Sequence, residues 1–180
     1  MGRIILDLCG GTGAWSEPYR KAGYDVWIVS LPERDVRTYK PLAGVHGILA
    51  APPCTEFAVS GARWWAKKPA HLLVEAREIV DACLRIIETC DPVWWALENP
   101  VGRLKNWIGP WNHTFNPCDY GDPWTKRTCL WGKFTMPLKT LHACDHPCYP
   151  GHRLPPSPER ATLRSITPQG FARAFFEANP

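Results

Sequence analysis

Short apolar runs alternate with amphipathic stretches along the first hundred residues. Residues 3 to 8 form an apolar run that gives way to Gly10, Gly11 and Gly13. That pattern predicts a buried strand entering a tight turn. Residues 14 to 22 predict a helix stopped by Gly23. Residues 24 to 29 predict a second strand, and Val45 to Ala50 a third, ended by Pro52 and Pro53. The clearest helix is predicted over 69 to 90, where Leu72, Ala76, Ile79, Cys83 and Ile86 recur on one face. Pro69 suits its first turn, and Asp91-Pro92 closes it. Val93 to Leu97 predicts a fourth strand, running into Glu98-Asn99-Pro100. Residues 113 to 119 and 127 to 134 predict short strands around the turn Tyr120-Gly121-Asp122-Pro123. Residues 168 to 178 predict a last helix, with Thr167 as N-cap and Pro168 as first position.

Continuously apolar strands alternating with helices imply an α/β fold: a mostly parallel sheet with helices on both faces. A chain of 180 residues fits one domain, 1–180. Residues 137 to 160 are rich in Pro, Cys and His and predict an irregular insert. No apolar run is long enough to cross a membrane. The N-terminal stretch has no signal-peptide pattern, so a cytoplasmic location is expected. The eight cysteines then read as reduced thiols. A net charge of +4 is compatible with a nucleic-acid partner. Ten tryptophans are unusual in a chain of this length; many must help build the core, and exposed ones offer stacking surfaces for bases.

Two segments carry candidate chemistry. Asp7-Leu8-Cys9-Gly10-Gly11-Thr12-Gly13 lies where the first strand turns into the first helix. Glycines there let the backbone turn tightly and let a ligand come close. Ser16 stands where a dinucleotide fingerprint would have its third glycine, which argues against a dehydrogenase. Pro52-Pro53-Cys54 follows the third strand, at the carboxyl edge where such sheets place ligands. The prolines stiffen the approach, so Cys54 is a candidate nucleophile. Glu98 follows the next strand and is expected on the same edge. A carboxyl group there can hydrogen-bond the N3 and exocyclic amine edge of cytosine.

Taken in order, these segments resemble the DNA cytosine-5 methyltransferase family. Asp7 to Gly13 is similar to its cofactor motif, Pro53-Cys54 to its nucleophile motif and Glu98-Asn99 to its Glu-Asn motif. Tyr120 to Arg127 resembles its Tyr-Gly-x-Pro motif with following basic residues, and Arg164 to Phe175 its closing motif. The resemblance implies a Rossmann-like class I fold that binds S-adenosyl-L-methionine. It implies cofactor contacts from Asp7, Leu8, Cys9, Gly10, Gly11, Thr12, Gly13 and Pro52, with Ser30 and Asp35 beyond the second strand. It also implies a Cys54 nucleophile, a Glu98 acid, and Arg127 or Lys126 as the cation that orients the pyrimidine. The DNA base must leave its stack for such attack, by flipping or in a single strand.

The chain departs from that family in several places. Ser30 stands where an acid for the cofactor ribose is usual, so Glu33 or Asp35 would have to serve, and Trp124 replaces a glutamine. Only about 30 residues separate Phe134 from Arg164, so a full target-recognition region is missing. Sequence recognition is therefore expected to be reduced or supplied by a protein partner. A chain this compact suits a small genome such as a phage's. Three functions stand open: DNA methylation, methylation of RNA or free cytosine nucleotide, and a non-catalytic binding relative. The replacing segment, His142-Ala143-Cys144-Asp145-His146-Pro147-Cys148, has zinc-ligand residue types, with Cys144 and Cys148 the first candidates. An irregular loop with reduced thiols is the favoured reading there.

Overall fold

A computed structural model describes residues 2–140 and 155–180. Its six-stranded sheet has the order β2-β1-β3-β4-β6-β5. The strands are β1 (Ile4–Leu8), β2 (Asp25–Val29), β3 (Val45–Ala50), β4 (Trp94–Pro100), β5 (His113–Phe115) and β6 (Thr128–Lys133). Strands β1 to β4 are parallel, whereas β6 runs antiparallel to both β4 and β5. The helices are α1 (Glu17–Lys21), α2 (Ala70–Cys90), α3 (Lys105–Ile108), α4 (Arg160–Ser165) and α5 (Gln169–Ala178).

Alternation along the strands divides the core in two. Leu6, Leu8, Ile48, Ala50 and Leu97 face α2, which buries Ala76, Val80, Cys83, Ile86 and Ile87 against them. Ile5, Leu49, Trp94, Ala96 and Leu130 face the other way, where Tyr19 of α1 and Phe171 and Phe175 of α5 cover them. Helices therefore lie on both faces, as the continuously apolar strands require. Phe115 and Phe171 stack at 3.7 Å between centroids and 10° between planes. Each such buried ring contributes roughly 1.5–3 kcal/mol, so this pair holds α5 over the antiparallel edge.

Several elements differ from expectation at their ends. The helix predicted from residue 14 starts at Glu17, because the glycine turn runs on. Gly13 N–H donates to Gly10 O, and Glu17 N–H to Gly13 O. The strand predicted over 113–119 stops at Phe115. Asn116 and Asp119 form a reciprocal capping box there, starting a 3-10 turn over Pro117–Tyr120. Pro168, not Thr167, occupies the N-cap of α5, and Pro69 that of α2. Helices α3 and α4 and the 3-10 segment Val59–Lys67 were not predicted. Among the described residues, no helix is long and apolar enough to cross a membrane.

Candidate active site

Because β1, β3 and β4 are parallel, their carboxyl ends open on one edge. The loops that follow them border a cleft of about 1090 Å³. Its floor carries Asp7, Cys9, Gly10, Gly11, Pro52, Cys54 and Glu98, and residues 125–127 with Arg164, Ser165 and Thr167 contribute to a facing wall.

The glycine turn is set by its backbone. Cys9, Gly11 and Gly13 have positive φ of 57°, 53° and 71°, which costs least at glycine. Gly10 answers a different demand. A Cβ there would lie 2.2 Å from the Asp7 Cγ, so only glycine lets the turn close over that carboxyl. Asp7 is fully buried. Its Oδ2 accepts a hydrogen bond from Ser16 Oγ at 2.5 Å, while Oδ1 has no partner among the described residues. Burial pushes the Asp7 carboxyl up to about 6 against the pull of Ser16. An unpaired acceptor in this position calls for a donor or cation from a ligand.

The Cys54 segment is tethered from three directions. Ala51 N–H donates to Leu8 O at 2.9 Å, and Cys54 O accepts from Phe57 and Ala58 N–H at 2.9 and 2.8 Å. Asn99, fully buried, donates from Nδ2 to Pro52 O at 3.0 Å. The Glu-Asn pair thus divides its work: Glu98 faces the cleft while Asn99 pins the loop that carries the nucleophile. Losing such a buried bond costs about 1–3 kcal/mol.

Charge around Cys54 comes from both sides of the cleft. Burial raises the Cys54 thiol, and Glu98 raises it further, while Lys126 and Arg164 pull it down. Burial likewise raises Glu98, opposed by Lys126. Lys126 Nζ also donates to Arg164 O at 3.0 Å. Lys126 is therefore the cation that addresses both Cys54 and Glu98. Arg127 borders the cleft but acts on the buried Cys129 thiol behind it.

The other predicted cofactor residues are spread out. Leu8 is buried in the α2-side core and offers the site only its backbone. Thr12, Gly13, Ser30 and Asp35 do not border the cleft. Asp35 is engaged by Arg37, with Nη2 to Oδ2 at 2.6 Å, and this pairing holds its carboxyl below the usual range. Trp15 borders the cleft, buried, with its indole N–H unpartnered among the described residues; nothing in its sequence context marks it. Cys144 and Cys148 lie outside the described residues. Among the described residues, no group of three or more His, Cys, Asp and Glu could hold a metal.

No protein-family model matches the chain. It is 30% identical over 125 residues to the type II methyltransferase M.DdeI of Desulfomicrobium norvegicum, a match covering 56% of this chain and 28% of that protein. A protein from an E. coli prophage, assigned as a DNA modification methyltransferase, is 17% identical with a TM-score of 0.50. That alignment covers 73% of this chain and 47% of the prophage protein. The chain thus matches less than half the length of either. The methyltransferase EhMeth of Entamoeba histolytica superposes with a TM-score of 0.49 at 10% identity, over 87% of this chain and 61% of that one. The sheet, its two helical layers and the prophage likeness together give this chain the Rossmann-like methyltransferase fold.

Proposed function

We propose that the protein methylates carbon 5 of cytosine in DNA, through a covalent adduct with Cys54. The observation that carries this reading is the meeting of Cys54, Glu98 and Lys126 in one cleft beside the glycine turn. The cofactor is S-adenosyl-L-methionine. The unpartnered Asp7 Oδ1 suits its ammonium group, and Asp7, Gly10 and Gly11 all border the cleft. When bound, it supplies an electrophilic methyl group for carbon 5.

The residues divide the remaining work. Cys54 and Glu98 each disfavour charge on the other, so a proton on Glu98 helps the thiol to ionise. Burial favours that protonated Glu98. The Cys54 thiolate attacks carbon 6, forming the sulfur–carbon bond as the ring's 5,6 electron pair moves toward carbon 5. Glu98 gives its proton to N3 and so neutralises the developing charge. Loss of the carbon 5 proton to water then breaks the sulfur–carbon bond and returns the N3 proton to Glu98. Lys126 holds the negative charge that passes between the two groups.

The test is transfer of labelled methyl from S-adenosyl-L-methionine to single-stranded DNA, duplex DNA, RNA and dCTP. Transfer to DNA is expected, lost entirely in Cys54→Ala. DNA carrying 5-fluorocytosine should trap the protein as a stable adduct, because fluorine cannot leave as a proton. Undiminished transfer by Cys54→Ala would overturn the mechanism. Transfer to RNA or dCTP alone would replace DNA as the substrate.

A further inference from the structure

Two stretches of the chain carry basic residues and no acid at all. Residues 57–74 hold Arg63, Lys67 and Lys68, and residues 99–118 hold Arg103 and Lys105. The fold presses the two together beside the cleft. Ala58 bridges Gly102, Val59 N–H donates to Val101 O, and Arg103 N–H donates to Phe57 O, both at 2.9 Å. A Cβ on Gly102 would lie 1.9 Å from Phe57 O, so the close approach needs glycine. Glu56, the acid that precedes the first stretch, is already paired with Lys68 at 2.6 Å.

Tryptophans are interleaved with these cations. Arg103 lies 4.3 Å over the Trp65 ring and Lys105 5.4 Å over Trp111. Trp64 differs from its neighbour in being 49% exposed. It stands at the rim of the cleft that holds Cys54, with Arg63 at 5.2 Å and Lys67 at 5.6 Å from its ring. A half-exposed indole with cations over its ring becomes a surface for a base when those cations turn to its phosphates.

We propose that this face grips single-stranded DNA flanking the base held over Cys54, with Trp64 stacking a neighbouring base. The inference rests on the reading of DNA as substrate. A duplex presents base edges in its grooves and keeps the faces of its paired bases covered, so an exposed ring at the rim has little to stack on there. A single strand offers its base faces, and phosphates within reach of Arg63 and Lys67.

The test is binding of fluorescently labelled oligo-dT to the full chain, read by anisotropy across a salt series. Oligo-dT paired with oligo-dA and oligo-U are the comparisons. Oligo-dT is expected to bind more tightly than the duplex or oligo-U. Trp64→Ala should weaken that binding by at least roughly fivefold, and Trp64→Phe should restore most of it. Lys67→Ala should lower the salt slope by about 0.7. Equal or tighter duplex binding, tighter oligo-U binding, no measurable oligo-dT binding, or an unaffected Trp64→Ala would each overturn the proposal. Unchanged melting of Trp64→Ala checks that the effect is local. Oligo-dT contains no cytosine, so binding is read apart from methyl transfer. Failed transfer with intact binding sinks the catalytic reading alone; intact transfer with unaffected Trp64→Ala sinks this one alone.

Discussion

The floor and the facing wall of the cleft are built by different means. The floor is backbone: three parallel strand ends, a turn that only Gly10 permits, and a proline loop pinned by Asn99. The wall is side-chain charge, delivered by Lys126 and Arg164 from segments 38 positions apart, with Lys126 Nζ donating to Arg164 O. Steric demands leave fixed residue types at fixed spacings. A charge can come from any long side chain that reaches, so the floor should tolerate substitution far less than the wall.

Asp7 gives the largest effect, because the floor buries its carboxyl completely. Its raised value of about 6, against 3.8 unburied, means that the folded state holds this proton more tightly than the unfolded chain. Asp7 therefore costs nothing below about pH 4. The cost grows as pH rises and is complete above about 6. Two units correspond to about 3 kcal/mol. Asp7→Asn should accordingly stabilise the ligand-free protein by up to about 3 kcal/mol at pH 8, with no gain at pH 4. It should also weaken S-adenosyl-L-methionine, whose ammonium would lose its partner. Chemical denaturation at the two pH values and calorimetric titration check both. A destabilised Asp7→Asn at pH 8 would mean that the carboxylate is already satisfied, and the floor would lose its reason for an acid.

This contrast also explains what could be read from the chain. The glycine turn, the Pro-Pro-Cys loop and the Glu98-Asn99 pair were legible because each sits at the end of an apolar strand, where the sheet fixes its place. Strands β1 to β4 and β6 and helices α2 and α5 were legible from the apolar patterning itself. The wall was not. Tyr120 to Arg127 offered two adjacent cations, and sequence alone could not say which one turns inward. Both border the cleft, and Lys126 is the one whose charge bears on Cys54 and Glu98. Asn99 was legible as part of a motif, but its hold on Pro52 needs the β3–β4 register. The 3-10 segment 59–67 escaped notice because short 3-10 turns carry weak periodicity.

The wall predicts a smaller, graded response at Cys54. Lys126 lowers the thiol and Glu98 raises it. Alkylation of Cys54 by iodoacetamide at fixed pH reports its thiolate fraction. Lys126→Met should slow alkylation severalfold, and Glu98→Gln should speed it. Arg127→Met should leave it within about twofold, since that side chain acts on Cys129. Mass spectrometry of the Cys54 peptide separates this thiol from the others. A slower Arg127→Met with an unchanged Lys126→Met would exchange the two roles and restore Arg127 as the orienting cation.

The smallest effect belongs to the region beyond both floor and wall. Asp35 follows β2 and was expected to serve the cofactor, yet it does not border the cleft and Arg37 occupies its carboxylate. Partly exposed ion pairs of this kind contribute little. If Asp35 acts only on Arg37, Asp35→Asn should change S-adenosyl-L-methionine affinity by less than about twofold. If the carboxylate instead exchanges Arg37 for a ribose hydroxyl, affinity should fall by roughly tenfold, the value of one charge-assisted hydrogen bond. Arg37→Ala separates the cases, because freeing the carboxylate would then strengthen binding. Unchanged affinity in both variants would confine cofactor recognition to the floor, where Asp7 and Gly10 leave the least room for alternatives.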